Sequence, residues 1–198
     1  MSFGERWPEA ARDERVARAV GFWWGYAEGV CFFIVPDVYV SFATLFSLRA
    51  GAMAWLASIA GSLAAVATIY GLGALLGAAV VPFVEAVPGI PPGMLGAVDR
   101  QLGTGLPYTP WLVLGGIPLK VYAAVASVQA IPLAAALVWT VFARIVRIAP
   151  TYLLAVAVRV AAQRSIAARP SVWIALLVAL WIAFYTVYFI AMDRRVWF

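Results

Sequence analysis

The 198-residue chain has no histidine, one cysteine (Cys31) and one lysine (Lys120). An intrachain disulfide is therefore excluded. Zinc, haem and iron–sulfur sites draw repeatedly on His and Cys, so no metal or other cofactor is expected. Charge is scarce too: Asp, Glu, Lys and Arg make up 12% of the chain, against about a quarter in an average soluble domain. What fills the sequence is apolar, at 65% of residues with a mean hydropathy of +0.95. A soluble fold of this size cannot hide so much apolar surface. Lipid is the expected solvent, and the chain reads as an integral membrane protein.

Barrel strands would alternate apolar and polar residues, and these runs do not alternate. Lipid-exposed backbone must then satisfy itself in helices. The net charge of +5 comes from thirteen Arg and one Lys. In this setting a basic excess sets orientation and meets anionic lipid, so nucleic acid is not an expected partner. The first apolar run follows a mixed-charge segment without a small-residue cleavage site, so no signal peptide is expected.

Residues 1–18 are expected to hold a surface helix, with Pro8 suited to its start. The next block, 19–48, contains Glu28 and Pro36-Asp37. As one straight helix it would run about 45 Å, against an apolar core of about 30 Å. Broken at Pro36-Asp37, it becomes a re-entrant hairpin. Gly21, Gly25 and Gly29 form a small-residue stripe on its first limb, read as a helix-packing surface. A charge-free span follows at 51–81, then a Pro- and Gly-rich connector at 82–107 with a short interfacial helix at 93–102. Residues 108–129 repeat the first design. An apolar approach reaches Gly115-Gly116-Ile117-Pro118-Leu119-Lys120, and an apolar limb leads away. Spans are expected at 131–158, with a kink at Pro150, and at 171–192, which carries Trp173, Trp181, Tyr185 and Tyr188.

The expected fold is an all-α integral membrane protein. It has two opposed re-entrant helical hairpins and about three transmembrane helices in an inverted-repeat arrangement, as one transmembrane domain over 19–198. Hairpins and spans in this order put eight Arg on the side of the N-terminus and three on the other. The positive-inside rule then favours a cytoplasmic N-terminus. The location expected is the inner (plasma) membrane, multi-pass.

Five ionisable residues fall inside apolar blocks: Glu28, Asp37, Lys120, Arg144 and Arg147. Each costs at least a few kcal/mol at the bilayer centre unless paired or hydrated. One explanation is internal pairing that locks the bundle, for example Glu28 with Arg144. Three positive charges against two negative do not balance, and a buried excess calls for an anion or water. Arg144 and Arg147, three apart, share a helix face. Their two guanidinium forks suit a phosphate. Lys120 adds a charge beside loosened backbone whose N–H groups also attract anions. These three are the candidate substrate-binding residues. Glu28, on an apolar limb, is a candidate proton carrier. Asp37 is a second ion-coupling candidate, with an Asx turn or helix N-cap as its alternative role.

At these residues the chain resembles the DedA, or SNARE-associated Golgi protein (VTT domain), superfamily, and within it the short bacterial YqaA-like branch. The likeness runs from about Glu28 to about Tyr152. It rests on Glu28, Pro36-Asp37, Gly61 and Tyr70-Gly71-Leu72-Gly73 in the first half. In the second half it rests on Gly116-Ile117-Pro118-Leu119-Lys120-Val121, Arg144-Ile145-Val146-Arg147 and Tyr152. One Pro precedes the acid at 37 where the family has two prolines and a Glu, and Gly73 is followed by Ala74 instead of a Gly-Arg continuation. The resemblance implies opposed hairpins and lipid transport. Its bacterial members are associated with proton- or sodium-coupled recycling of undecaprenyl phosphate, and eukaryotic relatives with phospholipid scrambling.

Two functions stay open on the sequence. One is a flippase or scramblase for an anionic lipid, either a polyprenyl phosphate such as undecaprenyl phosphate or a phospholipid, with proton coupling as an option. The other is a structural or channel-like membrane protein whose charges pair internally; full pairing of all five would favour it. An enzyme is not expected, since a lipid phosphatase would want a His or Cys nucleophile or a metal-binding carboxylate cluster. The expected partner is an anionic membrane lipid, with self-association into a homo-oligomer left open.

Overall fold

The computed structural model describes residues 12–91, 93–103 and 116–193. The expected surface helix within 1–18 lies mostly outside the described residues. So does the first limb of the hairpin expected at 108–129, apart from its end at Gly116.

The described residues fold into helices without strands. In chain order these are α1 (Glu14–Val30), α2 (Asp37–Phe46), α3 (Leu48–Leu76), α4 (Val80–Glu85), α5 (Met94–Leu102), α6 (Leu119–Val128), α7 (Leu133–Ala168) and α8 (Pro170–Asp193). A 3-10 turn, Gly77–Ala79, joins α3 to α4. Three helical stretches are long and apolar enough to cross a membrane: Leu48–Glu85, Leu133–Ala168 and Pro170–Ala191. The apolar helices α2 and α6 have ten residues each. At about 15 Å they reach half the depth of a ~30 Å core.

Local chemistry sets the breaks. Asp13 caps α1, accepting from the Arg15 and Val16 amides at 2.7 and 3.4 Å. The Cys31 and Phe32 amides both bond to the Ala27 carbonyl, and the helix stops there. The chain resumes as α2 after Pro36, whose fixed φ of −65° suits the entry. Ser47 leaves helical geometry between α2 and α3, and its Oγ accepts from the Ala50 amide at 3.2 Å. This cap starts α3 three residues before the expected 51. Pro150 does not break α7: the non-helical backbone lies at Ala162, with φ −113° and ψ 15°. Pro150 removes one intrahelical donor, and the surrounding helix carries through. From Leu133 to the kink at Ala162, α7 runs 30 residues, about 45 Å. Its last turns, with Arg159 and Arg164, continue as helix where a linker was expected.

Two packing regimes coexist. Helix α1 lies on α3 at backbone contact. A Cβ on Gly21 would strike the Ala54 backbone, one on Gly25 the Ser58 backbone, and one on Gly61 the backbone of Phe22 and Tyr26. The small-residue stripe is thus a packing seam, completed by small residues on the facing helix. The largest apolar cluster surrounds α6, whose residues Leu119 to Ala126 are all buried against side chains from α3, α4, α5 and α7. The connector contributes Val84, Val87, Ile90, Met94 and Val98 to that cluster. Helix α8 is the opposite case: none of the residues in its most apolar stretch is buried.

Candidate functional site

The five buried charges belong to four elements that meet where helices are interrupted. Glu28 sits near the end of α1, Asp37 opens α2, Lys120 is the second residue of α6, and Arg144 and Arg147 lie on α7. Glu28, Asp37, Lys120 and Arg144 are buried and Arg147 is half-buried.

Glu28 Oε2 and Arg144 Nη2 form an ion pair. Lys120 does not meet a carboxylate. Its Nζ donates to the Phe32 carbonyl at 3.0 Å. Phe32 lies just past the end of α1, where a carbonyl has no intrahelical partner. Lys120 also lies within electrostatic reach of Glu28 and Arg144. Asp37 Oδ1 accepts from Thr151 Oγ1 at 2.9 Å, while the buried Oδ2 has no hydrogen-bond partner among the described residues. The capping role open to Asp37 is not taken: Pro36 holds the N-cap position, and no side-chain cap bond is made. Asp37 is instead the first residue of α2, where the positive helix end favours a carboxylate. It faces Arg147 and Arg144 electrostatically.

Among the described residues the only ion pairs within 4.0 Å are Glu14–Arg49, on the surface, and Glu28–Arg144. Arg147 makes none. The buried Arg144 Nε is also without a hydrogen-bond partner among the described residues. The charges are therefore gathered but not mutually neutralised, and guanidinium donors remain unspent.

Glu28, Lys120, Arg144 and Arg147 line one small pocket. Its volume is about 40 Å³, above the ~10–15 Å³ that a single water needs. The break between α1 and α2 reaches it through Phe33 and Val35, and the entry to α6 through Gly116 to Lys120. Gly116 has φ +88°, a left-handed turn that glycine adopts without strain, so the chain can enter Ile117-Pro118 and α6. Asp37 is not in the lining.

Tyr185 and Tyr188 complete the pocket from α8. The Tyr185 hydroxyl accepts from the Val35 amide at 2.7 Å, and the Tyr188 hydroxyl donates to the Gly116 carbonyl at 3.2 Å. One helix face thus holds one backbone group from the break and one from the α6 entry. In the sequence these residues read as part of an aromatic span. The usable signal was two hydroxyls three residues apart on a charge-free helix, since a Tyr O–H in an apolar setting usually finds a partner. Thr151 was also missed. It lies four residues after Arg147 and so continues the Arg144/Arg147 face.

Tyr70 and Gly73 have structural positions outside the pocket. The Tyr70 hydroxyl donates to the Ile131 carbonyl at 2.6 Å, and a Cβ on Gly73 would strike Ser127. Both hold the turn after α6 against α3. The described residues contain no group of three His, Cys, Asp or Glu that could hold a metal ion. The chemistry on offer is anion binding by guanidinium and ammonium donors, with one carboxylate beside them.

No protein-family model, curated protein or solved structure matches the chain.

Proposed function

We propose that the protein moves an anionic lipid across the membrane by holding its phosphate in the pocket lined by Lys120, Arg144 and Arg147. The observation that carries this reading is incomplete pairing. Three cations and two acids lie among membrane-spanning helices, yet only Glu28 and Arg144 form an ion pair. Internal glue would be expected to close on itself, because uncompensated buried charge is costly. An arriving phosphate would use the Arg147 fork, which makes no ion pair among the described residues, and Arg144 Nε.

In this reading α1–α2 and the chain leading through Gly116 into α6 are the two opposed re-entrant hairpins of an inverted repeat. Their interruptions line the pocket, as in transporters built from broken helices. This is also the arrangement implied by the resemblance to the DedA superfamily, with an undecaprenyl-phosphate-like lipid or a phospholipid as cargo in the plasma membrane. Glu28 and Arg144 give a route to ion coupling. A phosphate competes with Glu28 for the Arg144 guanidinium, and the released carboxylate can take a proton. Proton and lipid uptake are then linked, and linkage is reciprocal. Asp37 balances Arg147.

The test is transport in liposomes with purified protein, comparing a fluorescent polyprenyl phosphate with a fluorescent glycerophospholipid. The expected result is protein-dependent movement of at least one of them, impaired by Arg147→Lys, which keeps the charge and loses the fork. Glu28→Gln is expected to fold and to lose the pH dependence of transport. Movement of neither lipid, with the protein folded, would favour the structural reading.

A further inference from the structure

Beside the charged pocket runs a second, much larger concavity. It is a groove of about 740 Å³ between α1–α2 on one side and α8 on the other. That volume lies within the ~300–1,000 Å³ typical of small-molecule sites. The two cavities share Phe33 and Tyr185 as lining residues, so they adjoin.

Their chemistry differs sharply. The groove's polar side-chain groups are nearly all turned to internal partners. Trp24 Nε1 donates to the Ile34 carbonyl at 2.9 Å, Trp181 Nε1 to Ser41 Oγ at 3.1 Å, and Thr186 Oγ1 to the Ile182 carbonyl at 2.9 Å. The Tyr185 hydroxyl is taken by Val35. Of the groove's polar side-chain groups, the buried Tyr39 hydroxyl is without a hydrogen-bond partner among the described residues. What the groove presents is almost entirely hydrocarbon and ring surface. The charged pocket keeps unspent cationic donors, as shown above. A ligand fitting both is charged at one end and a hydrocarbon at the other.

The groove also opens where lipid must be. Val178 and Ile182, on its α8 wall, are 52% and 62% exposed on a helix apolar enough to span the bilayer. A second apolar hollow, of about 180 Å³, lies between α7 and α8 and shares Leu177 and Trp181 with the groove. It shares no residue with the charged pocket.

We infer that the groove between α1–α2 and α8 is the hydrocarbon subsite of the same binding site, taking one chain of a lipid whose phosphate lies against Arg144 and Arg147. This rests on the anionic-lipid reading and adds where the chain runs. Tyr185 marks the boundary between head and chain. A lipid enters sideways from the bilayer, chain along α8, with its phosphate passing Tyr185 last.

The single cysteine makes a direct test practical. In a Cys31→Ser background, Thr186→Cys places a bimane label in the groove, and Leu153→Cys places one on an exposed apolar position of α7 outside both cavities. Full-length labelled protein in liposomes is titrated with dibromostearyl phosphate and, separately, with dibromostearyl alcohol, whose bromines quench bimane. Binding of radiolabelled stearyl phosphate to purified protein in detergent is measured in parallel, with and without Arg147→Ala. The expected result at Thr186→Cys is saturable quenching several-fold stronger with the phosphate than with the alcohol, and loss of that excess in Arg147→Ala. Leu153→Cys is expected to respond equally to both compounds. Arg147-dependent radioligand binding with no phosphate excess at Thr186→Cys would overturn the chain subsite and leave the phosphate site standing. Absence of any Arg147-dependent binding would overturn the proposed function, and this inference with it. Protection of Thr186→Cys that depends on protein concentration and not on lipid would assign the groove to a second copy of the chain and overturn the subsite.

Discussion

Helices α1 and α8 both cross the interrupted region, but they are held in different ways. α1 is fused to α3 through a seam in which backbone meets backbone at Gly21, Gly25 and Gly61. α8 has no buried residue in its most apolar stretch and is tied by discrete hydrogen bonds: Tyr185 to Val35, Tyr188 to Gly116, Trp181 to Ser41 and Trp173 to Ser165. Without a hydrophobic driving force between helices in lipid, close packing and interhelical hydrogen bonds are the available attachments. The seam uses the first at backbone distance, while α8 combines hydrogen bonds with side-chain packing on Phe33, Leu45, Phe46 and Ile166. A close-packed seam resists any displacement, because every backbone contact is lost at once. Among the described residues, α8 adds to its hydrogen bonds only side-chain contacts, Trp173, Ile174 and Leu177 against the Leu45–Phe46–Ile166 cluster and Phe189 against Phe33, with no backbone seam.

The largest effect should come from the seam. Gly25→Leu has no space against Ser58, and overpacking of ordinary cores already costs about 1–3 kcal/mol. Here the obstacle is backbone, which cannot repack, so the expected outcome is loss of the monodisperse folded peak in detergent chromatography. A well-behaved Gly25→Leu protein would break the comparison. Next is the buried ion pair. Removing one partner of such a pair typically costs about 3–5 kcal/mol in soluble proteins. Arg144→Met should therefore lower the midpoint of unfolding strongly, and Arg144→Met with Glu28→Gln should recover part of the loss.

The α8 ties should register more weakly. Tyr185→Phe removes one hydrogen bond, worth about 0.5–1.5 kcal/mol net. It should leave the fold intact while speeding hydrogen exchange at the Val35 amide. Unchanged exchange there would mean that α8 is held by something other than the rings. Smallest of all, Arg49→Ala loses a surface pair with Glu14 in which Arg49 is 79% exposed. Such pairs contribute about 0–1 kcal/mol, so thermal midpoints should not move measurably.

Much of this was legible in the sequence for local reasons. Helices long and apolar enough to cross a membrane follow from length and hydropathy, the break before α2 from Pro36, and the start of α6 from the Gly116–Pro118 run. The meeting of Arg144 with Arg147 follows from their spacing of three. The Gly21/Gly25/Gly29 stripe pointed to close packing, though not to α3 as its partner. What was not legible depended on contacts far apart in sequence. Nothing near Lys120 indicates that its ammonium ends on the Phe32 carbonyl. Nothing near Asp37 indicates Thr151. Pro150 carried a standard helix-breaking signal, yet the departure lies at Ala162. The apolar groove was invisible, because its walls come from α1, α2 and α8, and an apolar residue reads the same whether it faces lipid or a cleft.

The bond between Val35 and Tyr185 joins positions 150 residues apart, and it bears on how the molecule is made. A ribosome releases Val35 long before Tyr185 exists. Until then the amide at the break after α1 is without its hydroxyl, and the Phe32 carbonyl waits 88 residues for Lys120. The order of synthesis thus runs against the order of bonding. Glu28 and the break after α1 emerge early, yet this part of the site is completed only when α8 docks, so its assembly waits on a residue made 150 positions later.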